Sequence, residues 1–172
     1  MRPITTDRLR LEPLEPRHAP HFYEGLRDAG LYSWIDEKPP QSVEWLRARY
    51  ERLQMRRSPD GSEDWLNWAI WSVEEKRYVG YVQATLRGSR GSVAYVLFAD
   101  AQGKGFAREA VAAMIEELFA NYNVTEVYAS VDRRNLQSCV LLAELEFERV
   151  TNPTDAVAGL DDNELLFRIR AT

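Results

Sequence analysis

Apolar and polar residues alternate through "LRLEPL", Leu9 to Leu14, as in a strand with one buried face. The spacing then turns helical in "HAPHFYEGLRDAG", which stops at Gly30. A loop rich in aromatics, acids and prolines follows, "LYSWIDEKPP", and from about Ser42 a second helix places Leu46, Tyr50 and Leu53 on one face. "RRSPDGSED", Arg56 to Asp64, has only loop character. Three β-rich runs come next: "WLNWAIWSV", "YVGYVQATL" after the turn "EEKR", and "SVAYVLF" after "GSRG". Their short charged or glycine-rich turns predict an antiparallel meander. From Phe106 a helical stripe runs through Ala107, Val111, Met114 or Ile115, Leu118 and Tyr122, followed by a strand at Glu126 to Val131. "NLQSCVLLAELEF" predicts a last helix, and "FERV" and "ELLFRIR" predict closing strands. No repeat, low-complexity tract or linker interrupts this order.

Composition narrows what such a chain can do. With 172 residues, 45% of them hydrophobic, it is long enough for one core and predicts a single domain over 1–172. No apolar run is long enough for a membrane helix and the first residues lack a signal-peptide core, so the expected compartment is the cytoplasm. One cysteine, Cys139, forms no internal disulfide, and the two histidines, His18 and His21, give no metal cluster. The expectation is no metal. A net charge of −5 gives no general field for nucleic acid and favours a cationic partner such as an amine.

The stretch with the most specific chemistry is "DAQGKGFAREA", Asp100 to Ala110, a glycine-rich corner between a strand and a helix. Such corners bind phosphates, because glycine lets the backbone approach and the first N–H groups of a helix have no partner inside it. The known nucleotide loops fail on spacing. A Walker loop needs Ser or Thr where Gly105 follows Lys104, and the dinucleotide fingerprint needs glycine where Arg108 stands. What fits is Q-x-x-G-x-A, with Gln102, Gly105 and Ala107, an added Gly103, and Glu109 in the first helical turn.

This pattern resembles the acyl-CoA pyrophosphate loop of the GNAT superfamily of N-acyltransferases. The element order is similar over nearly the whole chain. Asn135 to Ser138 resembles an NxxS motif of the Rim-like branch, the ribosomal-protein N-terminal acetyltransferases, and "LEF" at Leu145 to Phe147 resembles its LGF. "TDRLRLEPL" is similar to that branch's start. The sequence departs from the pattern at Glu146, where glycine is usual, and at Ser92, where the fourth strand often starts with a glutamate that orients a base water.

The resemblance implies an α/β (α+β) fold, a mixed central sheet of about seven strands flanked by about four helices, with splayed fourth and fifth strands. It implies acetyl-CoA as cosubstrate and direct acetyl transfer to a primary amine, by a monomer or homodimer. Backbone N–H groups of Gln102, Gly103, Lys104, Gly105, Phe106 and Ala107 would bind the pyrophosphate, with Arg108 also at the cofactor, Leu97 and Phe98 would bind the pantetheine arm, and Asn135 its amide. Ser138 would protonate the departing thiolate. Each of these has a plainer alternative: a tight turn and helix cap at the corner, an N-cap at Asn135, a polar first-turn residue at Ser138. Lys104, Arg108, Arg133 and Arg134 are either solvated or phosphate contacts. His18 and His21 are expected as surface helix residues, and Cys139 as a small buried one.

The acceptor side is less legible. Asp36 and Glu37, in the loop between the first two helices, are the carboxylates expected to act as base or to bind the ammonium. Tyr32, Trp34 and Trp68 are the expected acceptor contacts. Two other classes stay open: an acyl-CoA sensor without turnover, and a nucleic-acid or ribosome-associated module.

Overall fold

A computed structural model describes residues 1–35, 37–151 and 160–171. The chain forms β1 (Ile4–Thr5), β2 (Leu9–Pro13), α1 (Ala19–Leu26), α2 (Val43–Leu53), β3 (Asp64–Ser72), β4 (Arg77–Arg87) and β5 (Arg90–Leu97). Then follow α3 (Phe106–Asn121), β6 (Glu126–Asp132), α4 (Leu136–Glu144), β7 (Glu148–Arg149) and β8 (Glu164–Arg170). They make an eight-stranded mixed sheet in the order β1-β2-β3-β4-β5-β6-β8-β7. The strand beyond the expected set is β1, two residues at the edge, too short to leave a period in the sequence.

The predicted three-strand meander is present as β3 to β5, and β2 extends it, antiparallel to β3. Each face of the sheet carries its own helices because strand side chains alternate. Leu66, Trp68 and Ile70 of β3 point to the face covered by α3, where Val111, Met114 and Leu118 complete one cluster. Ala69 points the other way, toward Phe22 of α1 and Leu46 and Tyr50 of α2. Helix α2 starts on Ser42, whose Oγ accepts the Trp45 N–H at 3.0 Å, a side-chain cap.

Trp68 is therefore a core residue and not an acceptor contact: it is 0% exposed and its indole N–H donates to the Arg2 carbonyl at 3.0 Å. Trp68→Phe leaves that carbonyl unpaired and a gap beneath α3. The expected cost is about 1–2 kcal/mol of stability, read as a lower chemical-denaturation midpoint.

His18 is also not at the surface. It is 1% exposed, its Nδ1 accepts the Glu15 N–H at 2.9 Å, and its Nε2 lies 3.4 Å from Glu12 Oε2. Burial pushes its pKa down. Glu12 in turn accepts from Tyr78 at 2.8 Å and Arg10 at 2.7 Å, so this group of residues ties the β2–α1 corner to β4.

The feature that positions the site is a tear in the sheet. Strands β5 and β6, the fourth and fifth of the expected set, pair in parallel only at Arg90–Glu126, Gly91–Val127 and Ser92–Tyr128. Beyond those residues they part, and a wedge-shaped cleft opens toward Leu97 and Asp132.

Candidate active site

The cleft leads into a cavity of about 610 Å³ whose wall is the glycine corner. Gln102, Gly103, Gly105, Ala107 and Arg108 line it, as does the Phe106 backbone, while the Phe106 ring sinks into the core. Gly103 and Gly105 have φ of +74° and +78°, conformations that side chains make costly. Gly105 is the N-cap of α3 and offers no side-chain cap. The first-turn N–H groups therefore lack helical partners, and the positive helix end there is suited to an anion.

A clamp that the sequence did not reveal holds this corner. Thr6 Oγ1 and the Arg8 N–H donate to Glu109 Oε1 at 2.5 and 3.0 Å, and Arg8 Nε donates to Oε2 at 2.7 Å. Burial alone would raise the Glu109 pKa, but these donors outweigh it and hold the carboxylate below its ordinary value. Arg8 also donates to the Lys104 carbonyl at 3.0 Å. A Cβ on Gly105 would stand 3.3 Å from Arg8 Nη2, so a larger residue there would push into the clamp. Lys104 itself turns away from the cavity, its Nζ 2.5 Å from Glu75 Oε1. Arg108 lines the mouth, 3.7 Å from Glu144, and Arg133 donates to the carbonyls of Asp162 and Asn163.

Ladder parity decides which β5 residues serve the cleft. The Phe98 N–H donates to the Val79 carbonyl at 2.9 Å, and its ring is buried against Phe22, 5.3 Å between centroids. Phe98 is thus committed to β4 and α1, which corrects its expected role. By alternation the N–H and C=O groups of Val93, Tyr95 and Leu97 face the gap. Gln102 Nε2 donates to the Leu97 carbonyl at 3.1 Å. Tyr95 and the Leu97 N–H keep the free ladder groups for an extended ligand.

Across the cleft, Asn135 Oδ1 accepts the Ser138 N–H at 3.2 Å and caps α4. Its amide nitrogen stays available to the cavity, which Ser138 also lines. Beside Ser138 stands Tyr95, whose hydroxyl is buried and makes no hydrogen bond of proper geometry. Burial pushes this phenol up, and Ser138 pulls it the other way. A buried hydroxyl with Ser138 beside it can pair with a polar group of whatever occupies the cavity.

On the opposite face of the sheet a second cavity, about 260 Å³, borders the same splay. Gln83, Thr85, Ser92, Tyr128 and Ser130 give it a polar lining, and Glu164 of β8 supplies a carboxylate. Glu164 Oε2 accepts the Asp161 N–H at 3.2 Å. The fourth strand brings Ser92 to this cavity, and the carboxylate there comes from another strand, β8.

The expected acceptor loop contributes differently. Glu37 pairs with Arg49 at 3.3 Å beside a small cavity between α1, α2 and β4, which Tyr32 also lines. The Tyr32 hydroxyl donates to the Leu26 carbonyl at 2.8 Å. Trp34 reaches the larger, glycine-walled cavity instead. Asp36 lies outside the described residues. Among the described residues no group of side chains could hold a metal ion, and no helix is long and apolar enough to cross a membrane.

Comparison with known proteins agrees with this geometry. The acetyltransferase (GNAT) domain family matches residues 8–148. No curated protein gives a significant match. Among solved structures, RimL, a ribosomal alpha-N-protein acetyltransferase in complex with coenzyme A, superposes with TM-score 0.81 at 14% identity, covering 98% of this chain and 97% of its own. The ribosomal-protein-S5-alanine acetyltransferase from Vibrio fischeri gives 0.79 at 20%, covering 98% and 96%. Spermidine N-acetyltransferase from Vibrio cholerae, in complex with CoA and spermine, gives 0.72 at 18%, covering 95% and 94%.

Proposed function

The chain belongs to the acetyltransferase (GNAT) domain family, and from that premise we propose that it transfers the acetyl group of acetyl-CoA directly to a primary amine within a ternary complex. The observation that carries this reading is the pair of cavities on opposite faces of the sheet, both bordering the place where β5 and β6 part. One is walled by an anion-binding corner and the other holds a carboxylate. Likeness of fold to RimL and to spermidine N-acetyltransferase supports an N-terminal or small-molecule amine as acceptor.

Acetyl-CoA supplies an acetyl thioester when bound. The first-turn N–H groups of α3 would hold its pyrophosphate, and Tyr95 and Leu97 would pair with the pantetheine arm as an added strand. Glu164 holds the acceptor as an ammonium ion and then receives its proton, directly or through water, so that the neutral nitrogen forms the new C–N bond as the C–S bond breaks. A Leu97 or Tyr95 N–H stabilises the developing oxyanion without a charged side chain. Ser138 donates a proton to the departing thiolate, with Tyr95 beside it as a second hydroxyl, and regains one through water from the second proton that the nitrogen sheds as the amide forms.

A thiolate with a pKa of ~8.5 leaves readily at neutral pH. Ser138→Ala is therefore expected to lower kcat by only about tenfold, short of an obligatory general acid, and Tyr95→Phe added to it should lower kcat further. Stopped-flow single-turnover rates check both. The broader test is thiol release from acetyl-CoA across free amino acids, N-terminal peptides, polyamines and aminoglycosides, with product mass. Tight CoA binding with no acetylated product would make this domain a sensor, and would end the enzyme reading.

A further inference from the structure

Trp34 stands in the loop between α1 and α2, yet its ring lines the cofactor cavity and sits 5.3 Å from the Arg134 guanidinium. Arg134 lies in the β6–α4 connection, on the other side of the cleft. The contact therefore spans the open end of the wedge.

Both ends of this bridge are anchored. Arg134 is gripped by Asp132 through Nε–Oδ1 at 2.9 Å, Nη2–Oδ2 at 2.6 Å and its own backbone N–H at 2.8 Å. The bonds from Arg134 hold the Asp132 carboxyl down at about 2, so the grip persists at any physiological pH. On the Trp34 side, the Gly30 N–H donates to Asp28 Oδ1, Ser33 Oγ to the Gly30 carbonyl and the Tyr32 hydroxyl to the Leu26 carbonyl, each at 2.8 Å.

The bridge also has an unfilled apolar side. Trp34 is 42% exposed, and Leu136 and Val140 of α4, which line the same cavity, are 70% and 57% exposed. Three large apolar side chains from two elements thus converge, open, on one cavity. A ligand segment suited to them is uncharged and carries methyl and amide groups. The pantetheine arm has that character, whereas the phosphates belong at the helix end.

We propose that Trp34 and Arg134 are positioning residues, a clasp that closes over the pantetheine arm, retains it and shields the thioester from water. This rests on the acetyl-CoA reading above. The test compares acetyl-CoA, CoA and adenosine 3′,5′-bisphosphate, which keeps phosphates but lacks the arm, by titration calorimetry on the whole protein. Trp34→Ala should weaken both CoA ligands roughly fivefold, the scale of one cation–π contact with some apolar burial, and leave the bisphosphate unchanged. In steady state the loss should appear in KM more than in kcat, and Trp34→Phe should restore most of it. Unchanged CoA affinity in Trp34→Ala, or equal weakening of CoA and the bisphosphate, would overturn the clasp while leaving the acetyl-CoA reading intact. No CoA binding by the unmodified protein would overturn that reading, and the clasp with it.

Discussion

Gly105→Val is expected to abolish CoA binding. Gly105 sits at φ +78°, where a residue with a Cβ loses about 1–2 kcal/mol and a β-branched one more. Its Cβ would also lie 3.3 Å from Arg8 Nη2, and valine's extra methyls would push Arg8 off the Lys104 carbonyl and Glu109. The corner then loses both its shape and its clamp. For the unmodified protein, CoA at about 100 times its Kd should add ~2.7 kcal/mol, a Tm rise of roughly 5–10 °C for a domain of this size. Gly105→Val should melt a few degrees lower without ligand and show no rise with it. Gly105→Asn separates the causes, because asparagine tolerates this backbone region yet still fills the space. An undiminished CoA-dependent rise in Gly105→Val would remove the corner from the binding site.

Glu164→Gln should lower kcat/KM for the amine by roughly 10²–10³-fold, within the range for a general base. Glutamine keeps the volume and can still accept the Asp161 N–H that Glu164 accepts at 3.2 Å. What it removes is the charge that holds an ammonium ion and takes its proton. The cavity proposed for acetyl-CoA is on the other face, so the acetyl-CoA-dependent thermal shift should be untouched. Full activity in Glu164→Gln with every accepted amine would exclude this carboxylate from the chemistry.

Much of the architecture was legible because the meander and the α3 stripe are local patterns, and the glycine corner is a continuous segment. What escaped was parity and distance. In "WLNWAIW" both faces are buried, so alternation cannot say which side receives Trp68, and it went to the core. Leu97 and Phe98 are neighbours in an apolar run, and only the register with β4 shows that Phe98 turns its N–H to Val79. In the sequence Glu164 is one acid among three in "DDNELL". Its place in the second cavity depends on β8 inserting between β6 and β7, a pairing no local signal carries. Tyr95 and His18 are similar, since Tyr95 packs against a core gathered from the whole chain and the distant Tyr78 ring stands against His18, 5.1 Å between centroids.

The short parallel ladder between β5 and β6 has a mechanical meaning as well. It is a seam. The strands from β1 to β5 and those from β6 to β8 are sewn together by three residue pairs, with α3 and its core as backing. A ligand arm hydrogen-bonded along Tyr95 and Leu97 extends the stitching as a borrowed strand. On the proposed mechanism each turnover would add and then remove those borrowed stitches, while the three native pairs stay in place.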